Sequence, residues 1–451
     1  MDSHPTLQVL LVPDSIHWVT GTIATEISNK VPGIEAYICS EPVLHELLSL
    51  CNGRFPLPLD IVHFLTPHIA TALFPTFSET TACVATIHHF ENVWSIEPAP
   101  YVDSIMTVCS QWHDFLIEKG IAEDRLVMVR NGVNIKLFHP ADEEERKNLR
   151  RRYGIPDDVF VIGFSAKRSS DSCNRKGINI LEKLIDESST NFASAWWVIR
   201  GPGWQSLVQQ KRQNGARITH LPFLLEKDDV AESYRLMDAY IVTARIEGGP
   251  VPLIEAMSSG LCCVTTEVGL APELIQDGTN GFLAGFDDTA MFLKRLTALE
   301  KDREMRQRIG MAARQTIVDN LKWEQTLSSV PELYQTAISA FRRRTLSSPN
   351  FKDNSRFQTV TEWSKRCLKN WITDRELLVL IDLLQDEGES EITRQLANSV
   401  LLKKPLNQEA LSLYGSHSSI SSLLKLAKKT KIAMRRVISK AITVTKPSRI
   451  S

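Results

Sequence analysis

Short apolar runs alternating with polar or helix-forming segments constrain this chain more than any other feature. Six runs in the first part, at 7–12, 35–40, 60–65, 82–89, 104–110 and 126–130, have strand length. A second series follows at 160–166, 195–200, 217–221, 238–243, 261–266 and 281–283. Strands buried on both faces read as continuous apolar runs, and the stretches between these are long enough for crossover helices. The expectation is an α/β chain with two open parallel sheets, each covered by helices. At 451 residues there is room for two or three domains with cores of their own.

One loop in the second series concentrates groups with chemical potential. The run 238–243 leads into Glu247-Gly248-Gly249-Pro250-Val251-Pro252-Leu253-Ile254-Glu255-Ala256-Met257-Ser258-Ser259-Gly260. Pro252 suits the first turn of a helix, so Glu247 ends a strand and Glu255 lies in the first turns of the helix. Backbone N–H groups of a Gly-rich loop at a helix start form a site for an anion such as phosphate. A carboxylate on each side of it would accept hydroxyl hydrogen bonds. Glutamate is also common in a first helical turn simply because it offsets the dipole, so spacing alone does not decide.

The longer string does. Together with Val268-Gly269, Pro272-Glu273-Leu274-Ile275 and Asp277-Gly278-Thr279-Asn280-Gly281-Phe282-Leu283, it resembles glycosyltransferase family 4. The resemblance runs from about residue 7 to 341. It implies a GT-B fold, two Rossmann-like doubly wound domains facing a central cleft, and retaining transfer of a sugar from a nucleotide-sugar donor. It places an N-terminal acceptor-side domain over 1–140 and a nucleotide-sugar-binding domain over 150–325. A helix over 326–344 crosses back to the first domain, and a helical appendage fills 345–451. Residues 321–324 would start a helix running to about 341. The charged run 142–152 reads as a solvated linker helix.

Site residues follow from the same resemblance. Glu247 would bind hydroxyls of the donor sugar and Glu255 the ribose. Lys176, in Asn174-Arg175-Lys176-Gly177 at the opening of a helix, would hold the donor diphosphate with the Gly248, Gly249, Pro250 and Val251 backbone. The family's Gly-Arg step reads Gly163-Phe164 here, so Lys167 takes the second phosphate position, with Arg168 as the alternative. His88, in Ala85-Thr86-Ile87-His88-His89, would face the donor sugar, and residues 220–223 would lie near the base. Ser15-Ile16-His17-Trp18-Val19-Thr20-Gly21 stands where the family often has a Gly-Gly pair.

Several classes are disfavoured. A formal net charge of −1 argues against a nucleic-acid binder. No D-x-D pair or His/Cys ligand spacing appears, so neither metal nor other cofactor is expected. The run 7–12 is too short for a signal peptide or a membrane span, and eight scattered cysteines suit reduced thiols, which together point to the cytoplasm. A nucleotide-sugar epimerase, a phosphorylase on the same fold, or a non-catalytic nucleotide-sugar-binding scaffold are the competing readings.

After Arg342-Arg343-Arg344, residues 347–350 read as a linker and 361–413 as helices without a chemical motif. The tail from Ser421 to Ser451 holds nine Lys or Arg and no Asp or Glu. At helical spacing Leu423, Ala427, Thr430, Met434, Val437 and Ala441 share one face, with lysines and arginines around the other and Ile432 as the misfit. That suits a helix lying on an anionic membrane surface, bringing the cleft to a glycan or lipid-linked acceptor. Packing against the acidic stretch 374–391, or disorder, is the alternative.

Overall fold

The computed structural model describes residues 6–346, apart from 51–52, 56, 91–101, 192–193, 223 and 225. The expected appendage, with its linker, helices and basic tail, lies outside the described residues.

The first sheet contains β1 (Leu7–Val12), β2 (Ile34–Ile38), β3 (Ile61–Phe64), β4 (Ala82–Ile87), β5 (Ser104–Thr107) and β6 (Leu126–Met128). Its order is β2-β1-β3-β4-β5-β6, with every neighbouring pair parallel. The second contains β7 (Phe160–Ser165), β8 (Ala195–Arg200), β9 (Ile218–Leu221), β10 (Ala239–Val242), β11 (Cys262–Thr266) and β12 (Phe282–Ala284). Its order is β12-β11-β10-β7-β8-β9, again parallel throughout. Inner strands such as β4 and β11 are buried along their whole length, as helices on both faces require.

Each order reverses once, between β1 and β3 in the first sheet and between β7 and β10 in the second. Strand ends at such a reversal leave a crevice, because the connections on either side run to opposite faces. The crevices open beside Asp14 and Leu65 in one sheet, and beside Lys167 and Glu247 in the other.

The helix expected from residue 321 is broken. Trp323–Thr326 is one helical turn, Leu327–Ser329 is a 3-10 turn, and the long helix is Val330–Leu346. Pro331 accounts for the break: it has no N–H to donate and would clash with the carbonyl four residues earlier, so it is tolerated only in a first turn. The long helix packs on the first sheet, where Val330, Leu333, Tyr334 and Ala337 join the core with Val9, Ile61 and Val84. At its end, Arg344 forks onto the buried carboxylate of Asp103, with both contacts at 3.0 Å.

The linker helix is Glu143–Arg152, and it is not wholly solvated. Arg150 is buried, donating to Asp238 Oδ2 at 2.7 Å and to the Leu236 carbonyl at 3.0 Å. The buried carboxylate of Asp238, just before β10, calls for a cation, and Arg150 reaches inward to supply it.

His63 on β3 is wholly buried, its ring joined to Tyr334 Oη at 3.2 Å and Thr86 Oγ1 at 2.8 Å. Burial, with a smaller push from His88, lowers its pKa to about 3. The unfolded chain then binds this proton more readily than the fold, so the stability it contributes is complete above pH 6.5 and lost as pH falls towards 3. Between pH 7 and 5 the wild type should lose about 2 kcal/mol more than a His63→Gln variant in denaturant unfolding. Equal losses in both proteins would contradict this.

Candidate active site

The loop after β10 meets the segment 175–177 through backbone contacts. Thr243 Oγ1 donates to the Lys176 carbonyl at 2.9 Å, and Arg245 N donates to the Arg175 carbonyl at 2.7 Å. Lys176 does not open a helix. It caps the end of a short helix, Ser170–Arg175, and the next helix starts only at Ile178. Gly177, at φ +60°, makes the turn between them, and a side chain there would strike the Thr243 carbonyl.

This staple delivers two cations to Glu247. The Lys176 ammonium pairs with Glu247 Oε1, and Arg175 Nη1 lies 3.3 Å from the same oxygen. Glu247 is buried, which raises its pKa, but Lys176, Arg175 and His89 together outweigh burial and hold it below the usual carboxylate range. It is therefore an anion at neutral pH, able only to accept hydrogen bonds. A small pocket beside it is lined by Ser165, Lys176, Thr243, Ala244, Glu247 and Pro250.

Gly248 and Gly249 sit where the two domains touch. A side chain on Gly248 would lie 1.6 Å from the His88 carbonyl, and one on Gly249 would lie 2.8 Å from Asn131 Nδ2. Gly248 is thus required by close approach of the first domain's backbone, a constraint that spacing did not reveal, whereas at Gly249 the tip of the Asn131 side chain is the neighbour. The Gly248 and Gly249 N–H groups donate to no acceptor among the described residues. Pro250 and Val251 begin the helix Val251–Ser258, with Pro252 in its first turn.

His88 follows β4, and its Nε2 donates to the Leu65 carbonyl at 3.0 Å. Burial, then His89, lowers its pKa to about 4. The neutral ring keeps Nδ1 as an acceptor, a tautomer assigned from the hydrogen bond. Lys167 extends across the cleft, its Nζ 5.7 Å from the centre of the Trp18 ring. Arg168 turns instead to Glu182, 3.7 Å away, so of the two it is Lys167 that faces the first domain.

Glu255 is the site residue with the most structural work. Its Oε2 accepts from Tyr234 Oη at 2.7 Å and lies 3.7 Å from Arg200 Nη2. Arg200 also donates to Ser233 Oγ and Tyr234 Oη, both at 2.7 Å. Burial raises the Glu255 pKa by more than Arg200 and Tyr234 lower it. Sequence reasoning missed both partners. Arg200 left a signal, a charge closing the apolar run Ala195–Arg200; Tyr234 left none. His220 Nε2 contacts the Gly201 carbonyl at 2.9 Å, whereas Phe223 lies outside the described residues.

Comparison with known proteins agrees with this architecture. Residues 145–316 match the family model described as glycosyl transferases group 1. The N-acetyl-alpha-D-glucosaminyl L-malate synthase of Bacillus anthracis is 32% identical over 297 residues, 62% of this chain and 75% of that protein. The putative glycosyltransferase EpsD of Bacillus subtilis is 24% identical, the match spanning 52% of this chain and 61% of the relative. A D-inositol 3-phosphate glycosyltransferase of Streptomyces bingchenggensis is also 24% identical, over 53% of this chain and 54% of that one. The chain thus spans between about half and three quarters of these relatives' lengths. Among solved structures, HepE of Anabaena with UDP and glucose superposes with a TM-score of 0.61 at 15% identity, covering 73% of this chain and all of HepE. Sucrose-phosphate synthase of Thermosynechococcus elongatus gives 0.60 at 14%, covering 74% of this chain and all of that one. The fold is GT-B.

Proposed function

Because this chain belongs to the group 1 glycosyl transferase family, we propose that it transfers a sugar, with retention, from a nucleotide-sugar to a hydroxyl of a glycan or lipid-linked acceptor. The observation that carries this is the ionised Glu247, gripped by Lys176 and Arg175 at the reversal of the second sheet and facing the first domain.

In this reading the donor diphosphate lies on Lys176, Lys167 and the N–H groups of the Gly248–Val251 loop. Glu247 accepts from hydroxyls of the transferred sugar, His88 Nδ1 faces the same sugar, and Glu255 takes a ribose hydroxyl. The anomeric carbon–oxygen bond to the diphosphate breaks, and its electrons stay on the phosphate. Fixed positive charge and aligned N–H dipoles stabilise that developing charge better than water would, since they need no reorganisation. The acceptor oxygen bonds the anomeric carbon from the face the phosphate leaves, and a phosphate oxygen takes the acceptor's proton. Lys176 and Lys167 supply the cationic charge the leaving group needs, so the reaction proceeds without a divalent ion.

HepE was solved with UDP and with UDP-glucose, which makes uridine nucleotides the first donors to try. Thermal stabilisation by a panel of UDP-, GDP- and ADP-sugars should single out one base. Proton NMR of the product should then show the donor's anomeric configuration. Inversion, or stabilisation by no nucleotide-sugar, would overturn the proposal.

For the tail 421–451, with nine Lys or Arg and no Asp or Glu, we propose a basic anchor that holds the enzyme on the cytoplasmic face of an anionic membrane. Among the described residues no helix is long and apolar enough to cross a membrane. Full-length protein should sediment with anionic vesicles, release at high salt, and stay in solution when it ends before Ser421. Equal binding by both chains, or none by either, would refute the anchor.

A further inference from the structure

Three consecutive residues of the first domain, at the start of the helix Ser110–Glu118, address the second domain directly. Ser110 N donates to Glu273 Oε1 at 2.6 Å, and Arg130 forks onto Glu273 Oε2 at 3.0 and 2.7 Å. Gln111 Oε1 accepts from Gly269 N at 2.8 Å. Trp112 Nε1 donates to the carbonyl of Glu247 itself at 2.7 Å. The Trp112 ring is buried edge-on against Phe90 and Phe115, with centroids 5.3 and 5.7 Å away. Packing therefore fixes where its N–H points.

A trans peptide carries its C=O and N–H on opposite edges of one plane. With the Glu247 carbonyl held by Trp112, the Gly248 N–H is turned the other way. The Gly248 carbonyl is held in turn by Leu270 N at 2.6 Å, which orients the Gly249 N–H. Two adjacent glycines have little steric preference of their own, so the loop's setting comes from these donors together with Asn131 Nδ2, which donates to the Gly249 carbonyl at 3.1 Å.

We propose that Trp112 is a positioning residue: by holding the Glu247 carbonyl from the opposite domain, it aims the Glu247 carboxylate and the Gly248 N–H at the donor. The holding group belongs to the first domain, so the setting of the loop depends on a contact between the two domains. The inference rests on the reading of Glu247 as the residue that meets the donor sugar.

Trp112→Phe keeps an aromatic ring against Phe90 and Phe115 and deletes the N–H. In the variant, hydrogen exchange at the Leu270 amide, which donates to the Gly248 carbonyl, should be at least about tenfold faster than in the wild type. With the UDP-sugar that the wild type turns over, kcat should fall roughly 30-fold while KM and the thermal midpoint stay near wild type. A purely structural tryptophan would lower the midpoint and leave the kcat of folded enzyme unchanged. Unaltered Leu270 exchange, or near-normal kcat, overturns the proposal. If the wild type turns over no nucleotide-sugar, the reading of function fails, and the exchange measurement alone decides the role of Trp112.

Discussion

Glu247→Gln should lower kcat/KM for the nucleotide-sugar roughly 30- to 1,000-fold, a loss of about 2–4 kcal/mol of transition-state stabilisation. The substitution preserves size but removes the charge that hydroxyls of a sugar with growing positive character would favour. The substitution also reaches the fold, because Lys176 and Arg175 both lose an anionic partner. Both cations are partly exposed, so water replaces much of the lost interaction and the fold should weaken by only about 1–2 kcal/mol. Denaturant unfolding beside steady-state kinetics separates the two effects. Near-normal turnover would remove Glu247 from the site.

Lys176→Ala should cost a comparable factor, at least about 100-fold in kcat/KM, with a higher donor KM as well as a lower kcat. The diphosphate loses a cation in the ground state and more as the bond breaks. A second signature follows from the ion pair. Lys176 is the largest of the influences that hold the Glu247 carboxyl down against its burial. Without it the folded-state pKa of Glu247 rises, so activity that needs the ionised form should fail at a higher pH on the acid side. Lys176→Arg should restore part of the rate and most of the profile. An unmoved acid limb in Lys176→Ala would break the link between the two residues.

The strands were legible because each is a β-rich apolar run buried by helices on both faces. Their order was not, since an apolar run carries no label for its neighbour, and so the reversals at β1/β3 and β7/β10 had to be seen. The broken helix at 323–346 was readable in principle from Pro331. The burial of Arg150 was not, because its partner Asp238 is 88 residues away along the chain. The same limit hid the Arg200–Tyr234 cluster around Glu255 and the Trp112 contact to Glu247. Local strings name the groups that meet a ligand, whereas the residues that hold them in place come from other parts of the chain.

The central claim is that Glu247 acts on the sugar of a bound nucleotide-sugar. Its most direct test is acceptor-dependent nucleotide release by wild type and Glu247→Gln side by side, with nucleotide affinity measured on the same preparations. The account predicts steady release by the wild type and at least about 30-fold slower release by the variant, at nucleotide affinities within about twofold of each other. Equal release by both proteins, or tight nucleotide binding by a wild type that releases nothing, would contradict it.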